Sequence, residues 1–205
     1  MPEARRVPRR RRSADEARLQ ILEAAQQRLA ASGPEGLRLQ EIAADVGVSH
    51  PAILHHFGSR EGLLEALASH TAERLNREIA ARLETGEPAL REILAMTRDT
   101  LASQGQARLL AWLALSGRLA SESPEILRGL VDVAHRRRVQ HRAEAGGVAP
   151  EREDTIHAIL LVALSLFADA LIGDLLRASL GHTSASGEDA FRDWLAALLE
   201  SHLAG

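Results

Sequence analysis

The chain has 205 residues; its 36 Ala and 33 Leu favour helices, whereas the scarcity of Val and Ile and the absence of Tyr exclude an all-β fold. It has no Cys, which excludes disulfides, thiolate zinc sites and cysteine nucleophiles, and no Lys, which excludes Walker-type phosphate loops, Schiff-base enzymes and lysine general bases. Residues 1–60 hold 10 Arg and 7 acidic residues, whereas residues 61–205 hold 15 Arg and 21 acidic residues, so the basic surplus lies at the end expected to meet a polyanion.

The first twelve residues form a basic arm without apolar periodicity. Arg5, Arg6 and the run from Arg9 to Arg12 supply its charge, and this composition predicts disorder in the absence of a partner. A polar stretch follows rather than an apolar one, so we do not expect a signal peptide and predict a cytoplasmic protein. The arm could lie in a DNA minor groove or serve only as a solvated tail, and both interpretations stay open.

The helical signals begin at Ser13, which has the capping-box spacing to Glu16. The first helix is expected to end at Ser32-Gly33-Pro34, and two short helices joined by a tight turn are expected within residues 38–57. Ser59 is expected to cap a long amphipathic helix. Further helices are predicted at about 88–104, 107–120, 124–145, 151–180 and 188–203, which makes the fold class all-α.

The segment 39–57, LQEIAADVGVSHPAILHHF, has the pattern of a helix-turn-helix. Ala43 is small enough for two helices to touch, and Gly47 can adopt the positive φ of the turn. Ser49 can cap the second helix, and Pro51 is tolerated in its first turn. The alternative interpretation is an ordinary corner between two helices. The apolar residues that would seal the pair onto a third helix are Ile42, Val46, Val48, Ile53 and Phe57.

The stretch from Ile21 to Leu67 resembles the N-terminal domain of the TetR family of bacterial transcription regulators. The resemblance implies a homodimer with a DNA-binding domain at 13–60, whose second motif helix enters the major groove. It also implies a helical ligand-binding and dimerisation domain at 61–205. The matching points are Ile21-Leu22, Ala24-Ala25, Gly33, Ile42-Ala43, Gly47-Val48-Ser49, His56-Phe57, Ser59-Arg60-Glu61 and Leu63-Leu64.

The chain departs from the family pattern at two DNA-facing positions. Arg38 replaces a capping Thr or Ser but can reach phosphate with its charge, and Leu54 replaces a Tyr. The second motif helix offers no Arg, Asn or Gln for bidentate base contacts. We therefore expect sequence readout through His50, through contacts of Pro51 and Ala52 with thymine methyls, and through DNA shape. The predicted DNA-binding residues are Arg38, Ser49, His50, Pro51, Ala52, Leu54, His55, His56 and, as a phosphate clamp, Arg60.

A ligand cavity among the middle helices is implied by the resemblance, and its few large or polarisable candidates are Met96, Trp112, His135 and Phe167. Each of the four could equally be an ordinary core residue. The nine His do not predict a metal site, because only Glu153 and His157 share the i, i+4 spacing of a metal-binding pair and no further cluster supports them. No cofactor is predicted.

The last two helices carry more apolar surface than one core can hide. The run from Ala158 to Ala168 is eleven residues long and interrupted only by Ser165, which is too short for a membrane span. We predict instead that these helices pair with a second copy of the chain. The predicted dimer residues are Leu160, Leu164, Leu171, Phe191, Trp194, Leu195 and Leu198.

These features predict a sequence-specific DNA-binding regulator, a repressor released from its operator by a small-molecule ligand. One alternative is a DNA-binding module controlled by a protein partner. A second is an enzyme on a helical bundle, although no nucleophile with a neighbouring base is visible. The identity of the effector and the operator sequence do not follow from the residues.

Overall fold

The structure is a computed structural model that describes residues 13–85, 90–119, 124–182 and 187–204, and the predicted basic arm lies outside these ranges. The described residues contain helices and no strand, which confirms the all-α prediction. The helices are α1 (Ala14–Gly36), α2 (Leu39–Val46), α3 (His50–Phe57), α4 (Arg60–Thr85), α5 (Leu90–Leu101), α6 (Gln106–Leu115), α7 (Pro124–Glu144), α8 (Arg152–Ser179) and α9 (Gly187–Ala204).

Helix α1 begins and ends where its local chemistry requires. The Ser13 hydroxyl accepts a hydrogen bond from the Glu16 amide at 3.1 Å, and the Glu16 carboxylate accepts one from the Ser13 amide at 2.9 Å. This confirms the predicted capping box. Near its end the helix is interrupted at Gly33, whose φ of 69° is accessible to glycine at little cost.

Helices α2 and α3 form the expected helix-turn-helix. Gly47 ends α2 with a φ of 72°, and the Ser49 hydroxyl accepts a hydrogen bond from the Ala52 amide at 3.3 Å to begin α3. Arg38 begins α2 without a side-chain cap, as expected. Ile42 and Ile53 are fully buried against α1 and the first turns of α4, so the motif is sealed onto the preceding and following helices.

The chain has two hydrophobic clusters. The larger one joins α1, α2, α3 and the start of α4, and it also takes in Leu109 and Leu113 of α6. The smaller one joins α5, α8 and α9 through Leu94, Leu166 and Leu195. Helix α4 runs from the first cluster to the middle of the bundle, where it packs along α7.

Helix α8 has more apolar length than the eleven-residue run indicated. Within the described ranges it alone is long and apolar enough to cross a membrane, with a mean hydropathy of 2.2 over eighteen residues. Its contacts are those of a protein core, however. Leu166 is buried, and Asp169 is held inside the bundle by a salt bridge to Arg177, with the Arg98 Nε 3.8 Å away. We therefore interpret α8 as a helix with one face in its own core.

Candidate DNA interface and ligand cavity

Helix α3 presents a nearly complete face to solvent. Ile53 is fully buried, whereas Pro51, Leu54 and His55 are exposed and His50 is half-buried. The capping hydroxyl of Ser49 holds the first turn in place. His56 is half-buried, and its ring centroid lies 6.1 Å from that of Phe57. The helix is therefore anchored by Ile53 and, at its end, by the half-buried Phe57, while the face that carries Pro51, Leu54 and His55 remains accessible.

Three predicted DNA-contacting residues meet around one surface depression. Arg38 at the start of α2, His50 at the start of α3 and Arg60 at the start of α4 line a hollow of about 360 Å³, together with the exposed side chain of Gln40. The first turns of α2 and α4 begin at the same place, and backbone amides at helix N-termini can bind phosphate oxygens. The acidic side chain of Glu35 lines the depression as well. The depression therefore has the chemistry of a backbone-phosphate site beside the recognition helix.

Arg60 has partners inside the protein that the sequence analysis did not predict. Its Nε donates to the Leu37 carbonyl at 2.9 Å, and its guanidinium also donates to the Pro34 carbonyl. The guanidinium carbon lies 5.6 Å from the centroid of the Trp112 ring. The end of α1 leaves these carbonyl oxygens without helical partners, and Arg60 satisfies them. Its role as a phosphate clamp stays a prediction.

A cluster that the sequence analysis missed fixes the orientation of α2. Arg28 of α1 bonds Asp45 at 2.5 and 2.9 Å and also pairs with Glu41. The hydrogen bond from Arg28 lowers the pKa of the Asp45 carboxyl below its ordinary value. The only sequence signal was the i, i+4 spacing of Glu41 and Asp45, which does not reveal a partner seventeen residues away.

A large cavity lies among the middle helices, as the resemblance implies. Its volume is about 830 Å³, which is in the upper part of the range for small-molecule sites. Its walls come from α4, α5, α6, α7 and α8, with one residue from α9. Most of them are apolar, and the bulkiest are Leu75, Ile79, Leu83, Leu90, Ile93, Leu101, Leu110, Leu113, Leu119, Leu127, Leu130, Ile159, Leu164, Phe167 and Leu199.

The cavity corrects three of the four predicted pocket residues. Phe167 lines it, whereas Met96, Trp112 and His135 do not. Trp112 packs against the N-terminal cluster and the Arg60 guanidinium, because its position on α6 faces the DNA-binding motif. His135 does not face the cavity but contacts a residue that does: its Nδ1 lies 3.2 Å from the hydroxyl of Thr155. Spacing along a helix does not tell which neighbouring helix a face will meet.

One end of the cavity carries a polar network between three helices. Arg138 of α7 donates to the Thr155 hydroxyl at 2.7 Å and to the Asp154 carboxylate at 2.6 Å. The His202 Nε2 of α9 lies 2.8 Å from the same carboxylate. Hydrogen bonds from Arg138, which has the larger effect, and from His202 lower the pKa of Asp154 below its ordinary value. The network therefore places the Arg138 guanidinium at the cavity wall with its charge balanced by the Asp154 carboxylate.

The predicted dimer surface is exposed apart from two of its members. Leu160, Leu164 and Leu171 on α8 and Trp194 and Leu198 on α9 are exposed. Phe191 is half-buried and stacks on Trp194, with ring centroids 6.3 Å apart. Leu195 is only 1% exposed and belongs to the core of its own subunit, which corrects its assignment to the interface. Exposed residues missed by the prediction are Leu161, Ile172, Leu175, Leu176 and Leu180.

Comparison with known proteins identifies the family. The protein-family model described as "Bacterial regulatory proteins, tetR family" matches residues 21–67. This stretch begins and ends on buried residues of the N-terminal cluster. The HTH-type transcriptional regulatory protein RaaS of Mycobacterium tuberculosis is 33% identical over 152 residues, which cover 73% of this chain and 68% of that protein. The chain belongs to the TetR family. It is therefore a DNA-binding transcriptional regulator with a helix-turn-helix.

Other TetR-family comparisons extend over most of the chain. The HTH-type transcriptional repressor Rv1474c of Mycobacterium tuberculosis is 29% identical over 189 residues, with 89% of each chain covered. A TetR-family regulator from Pectobacterium atrosepticum has a TM-score of 0.64 at 21% identity, covering 95% of this chain and 96% of that one. A TetR variant from Acinetobacter baumannii, solved in complex with minocycline, has a TM-score of 0.58 at 22% identity, covering 88% and 93%. At these identities the solved structures establish the fold alone.

Two findings bear on the metal and enzyme alternatives. Among the residues that the structure describes, no group of three or more His, Cys, Asp or Glu is placed to hold a metal ion. The curated relatives are named as transcriptional regulators or repressors. Glu153 and His157 are both exposed on α8, on the outside of the bundle.

Proposed function

We propose that this protein is a sequence-specific repressor whose grip on an operator is released by a small molecule bound in the 830 Å³ cavity. The observation that carries the proposal is the course of α4. Its first turn packs beside α3, and its middle turns, from Glu65 to Leu83, wall the cavity. A ligand that favours another tilt of this helix moves the DNA-reading unit, so ligand and operator weaken each other's binding by the same factor.

Operator recognition is assigned to α3 and the depression beside it. His50 has a ring able to hydrogen-bond base edges, while Pro51, Ala52 and Leu54 offer apolar contacts to thymine methyls. His55 and His56 extend the same helix, with His56 the less accessible of the two. Ser49 positions the first turn, and Arg38 supplies a phosphate contact. Specificity then rests on few direct contacts and on DNA shape.

Repression rather than activation is supported by the relatives, because Rv1474c is named a repressor. The cavity supports a small-molecule effector rather than a protein partner. It is too small for a macromolecule to enter, and its wall is mainly apolar. The minocycline complex of the Acinetobacter baumannii protein is in keeping with this choice. We propose that the regulator acts in the cytoplasm, where bacterial DNA lies.

The active form is proposed to be a homodimer joined through α8 and α9. The exposed leucines of α8 and the exposed Trp194 and Leu198 of α9 present many apolar side chains to solvent, which would be unfavourable in water. A two-fold axis lets each patch cover its own copy. It also holds two copies of the reading head, residues 13–60, one helical turn of DNA apart.

The proposal is tested by selecting duplexes from a random library with the purified full-length chain. We expect an enriched inverted repeat with half-sites about one helical turn apart, protected in footprinting. A screen of small apolar compounds is then expected to find one that releases this duplex. In Ala72→Trp, which fills the cavity from α4, binding to the duplex is expected to persist while release is lost. Failure to enrich any sequence would contradict operator recognition, and unchanged release in Ala72→Trp would remove the cavity from the mechanism.

A further inference from the structure

The charged side chains at the cavity wall are already neutralised. Arg138 donates to the Asp154 carboxylate at 2.6 Å, and the Arg118 Nε donates to the Glu65 carboxylate at 2.8 Å. An anionic ligand would have to displace one of these carboxylates or enter an apolar space without a partner of its own. Both routes carry a large desolvation cost for the ligand charge.

The two threonine hydroxyl groups of the wall already make hydrogen bonds inside the protein. The Thr97 hydroxyl donates to the Ile93 carbonyl at 2.8 Å within α5. The Thr155 hydroxyl accepts from Arg138 at 2.7 Å and faces the His135 Nδ1 at 3.2 Å. The Thr97 proton is therefore already used within α5, and the Thr155 oxygen already has two neighbours, so neither hydroxyl offers a ligand its full hydrogen-bonding capacity.

Asn76 is different from these wall residues. It is half-buried on α4 and lines the cavity, and in the described part of the chain its amide has no hydrogen-bond partner. An amide donates and accepts but does not ionise, so it recognises uncharged polar groups. Ser69 lies seven residues earlier on the same face but is exposed, where water competes for its hydroxyl.

We propose that the cavity takes an uncharged, mainly apolar molecule and that Asn76 hydrogen-bonds its polar group. The inference rests on the proposed function, because it assigns a ligand class to the same cavity. It adds a specificity-determining residue and excludes free carboxylates, sulfonates and phosphates as ligand head groups. Exposed Leu119 and Leu127, which also line the cavity, make its opening apolar and suited to such a molecule.

Two fluorescent probes that differ by one charge test the inference on the full-length protein without DNA. N-phenyl-1-naphthylamine is neutral, and 8-anilino-1-naphthalenesulfonate has the same ring framework with an added sulfonate. We expect the neutral probe to bind at least about tenfold more tightly. Its N-methyl derivative, which cannot donate a hydrogen bond, is expected to bind about threefold more weakly than the parent. This difference is expected to vanish in Asn76→Leu.

Removing a carboxylate provides a matched pair of variants. Asp154→Asn leaves Arg138 without its anion at the cavity wall, so the sulfonated probe is expected to gain about tenfold in affinity. Asp132→Asn removes an equivalent pair between the same two helices, Asp132 to Arg152 at 2.7 Å, which does not line the cavity. That variant is expected to leave both affinities unchanged. Circular dichroism shows whether each variant is folded. If a variant is not folded, the ratio of the two probe affinities in the wild type still decides whether the cavity prefers an uncharged ligand.

The site of binding is checked with Ala72→Trp, which is expected to lose the neutral probe, and with Leu175→Gln on the exposed face of α8, which is expected to retain it. Equal or tighter binding of the sulfonated probe to the wild type would overturn the ligand class while leaving the cavity as a ligand site. Binding of neither probe, or retention of the neutral probe in Ala72→Trp, would overturn both. Operator binding is measured separately and does not depend on either result.

Discussion

The reading head and the bundle behind it are packed in opposite ways. Of the largest fully buried side chains among the described residues, all except Leu94 belong to the cluster that holds α1, α2, α3 and the start of α4. The bundle instead surrounds a cavity of about 830 Å³ and exposes leucines along the whole outer face of α8. A DNA-reading surface must keep its shape, whereas a ligand site needs space and a subunit interface needs apolar area. The contrast is in keeping with the two functions proposed for these regions.

The largest effect is expected from Leu195→Glu, which tests the boundary between core and interface. Leu195 is 1% exposed inside one subunit, so an ionised carboxylate there is buried without a partner and the chain is expected to unfold. Leu164→Glu, at a position 65% exposed, is expected to stay folded but to dissociate into monomers and lose operator binding. Sedimentation and circular dichroism distinguish the two. A folded, dimeric Leu164→Glu would place the interface elsewhere.

Two leucines on α4 compare the packed cluster with the cavity wall. Leu64→Ala, at a fully buried position, is expected to lower the free energy of unfolding by about 2–5 kcal/mol. Leu75→Ala, at a half-buried position facing the cavity, is expected to cost less than about 2 kcal/mol, because the side chain already borders empty space. Urea denaturation measures both. Equal losses would show that the cavity wall is as closely packed as the head.

Arg60 joins the head to the bundle, so Arg60→Ala tests how firmly they are connected. Loss of its bonds to the Pro34 and Leu37 carbonyls is expected to cost about 1.5–3 kcal/mol, at the lower end because the side chain is 27% exposed. Affinity for all duplexes is expected to fall alike. The fluorescence of Trp112, which lies under this guanidinium, is expected to change as well. An unchanged Trp112 signal would mean that the contact is absent in solution.

Within the head, His50→Ala and His55→Ala compare two histidines on one helix. His50 lies at the start of α3 beside the depression and is expected to contribute about 1 kcal/mol of discrimination between operator variants. His55 lies near the other end of α3 and is expected to contribute less. Affinities for a panel of single-base operator variants measure both. Uniform loss across the panel in His50→Ala would make it a positioning residue rather than a reader.

The smallest expected effect is the loss of folding stability at acidic pH. The pKa values of Asp45 in the head and Asp154 in the bundle are lowered, chiefly by hydrogen bonds from Arg28 and Arg138. A lowered folded pKa stabilises the fold above the ordinary carboxyl pKa, and this contribution is lost as pH falls through the folded value. Urea midpoints are therefore expected to decline below about pH 4. The decline is expected to be shallower in Asp45→Asn and in Asp154→Asn, and an unchanged slope in both would show that these pairs do not contribute.

Local signals in the sequence were sufficient for the reading head. Ser13 with Glu16, Gly47 and Ser49 each specify a helix boundary through bonds to residues no more than four positions away. The apolar spacing of Ile42 and Ile53 predicts which side of each short helix is buried. Such information is contained in a short window, so the motif and its exposed helix could be predicted without a structure.

Contacts between distant residues, in the reading head as well as in the bundle, are decided only by the tertiary structure. Arg28 meets Asp45 and Arg60 meets Pro34 only after the chain has folded back on itself. The apolar pattern of a bundle helix fits more than one neighbouring helix. The neighbour that it meets decides that Trp112 faces the head, Leu195 the core and Asn76 the cavity. The sequence determined that these helices form, because periodicity is local, but the direction of each face depends on packing energy summed over the whole bundle.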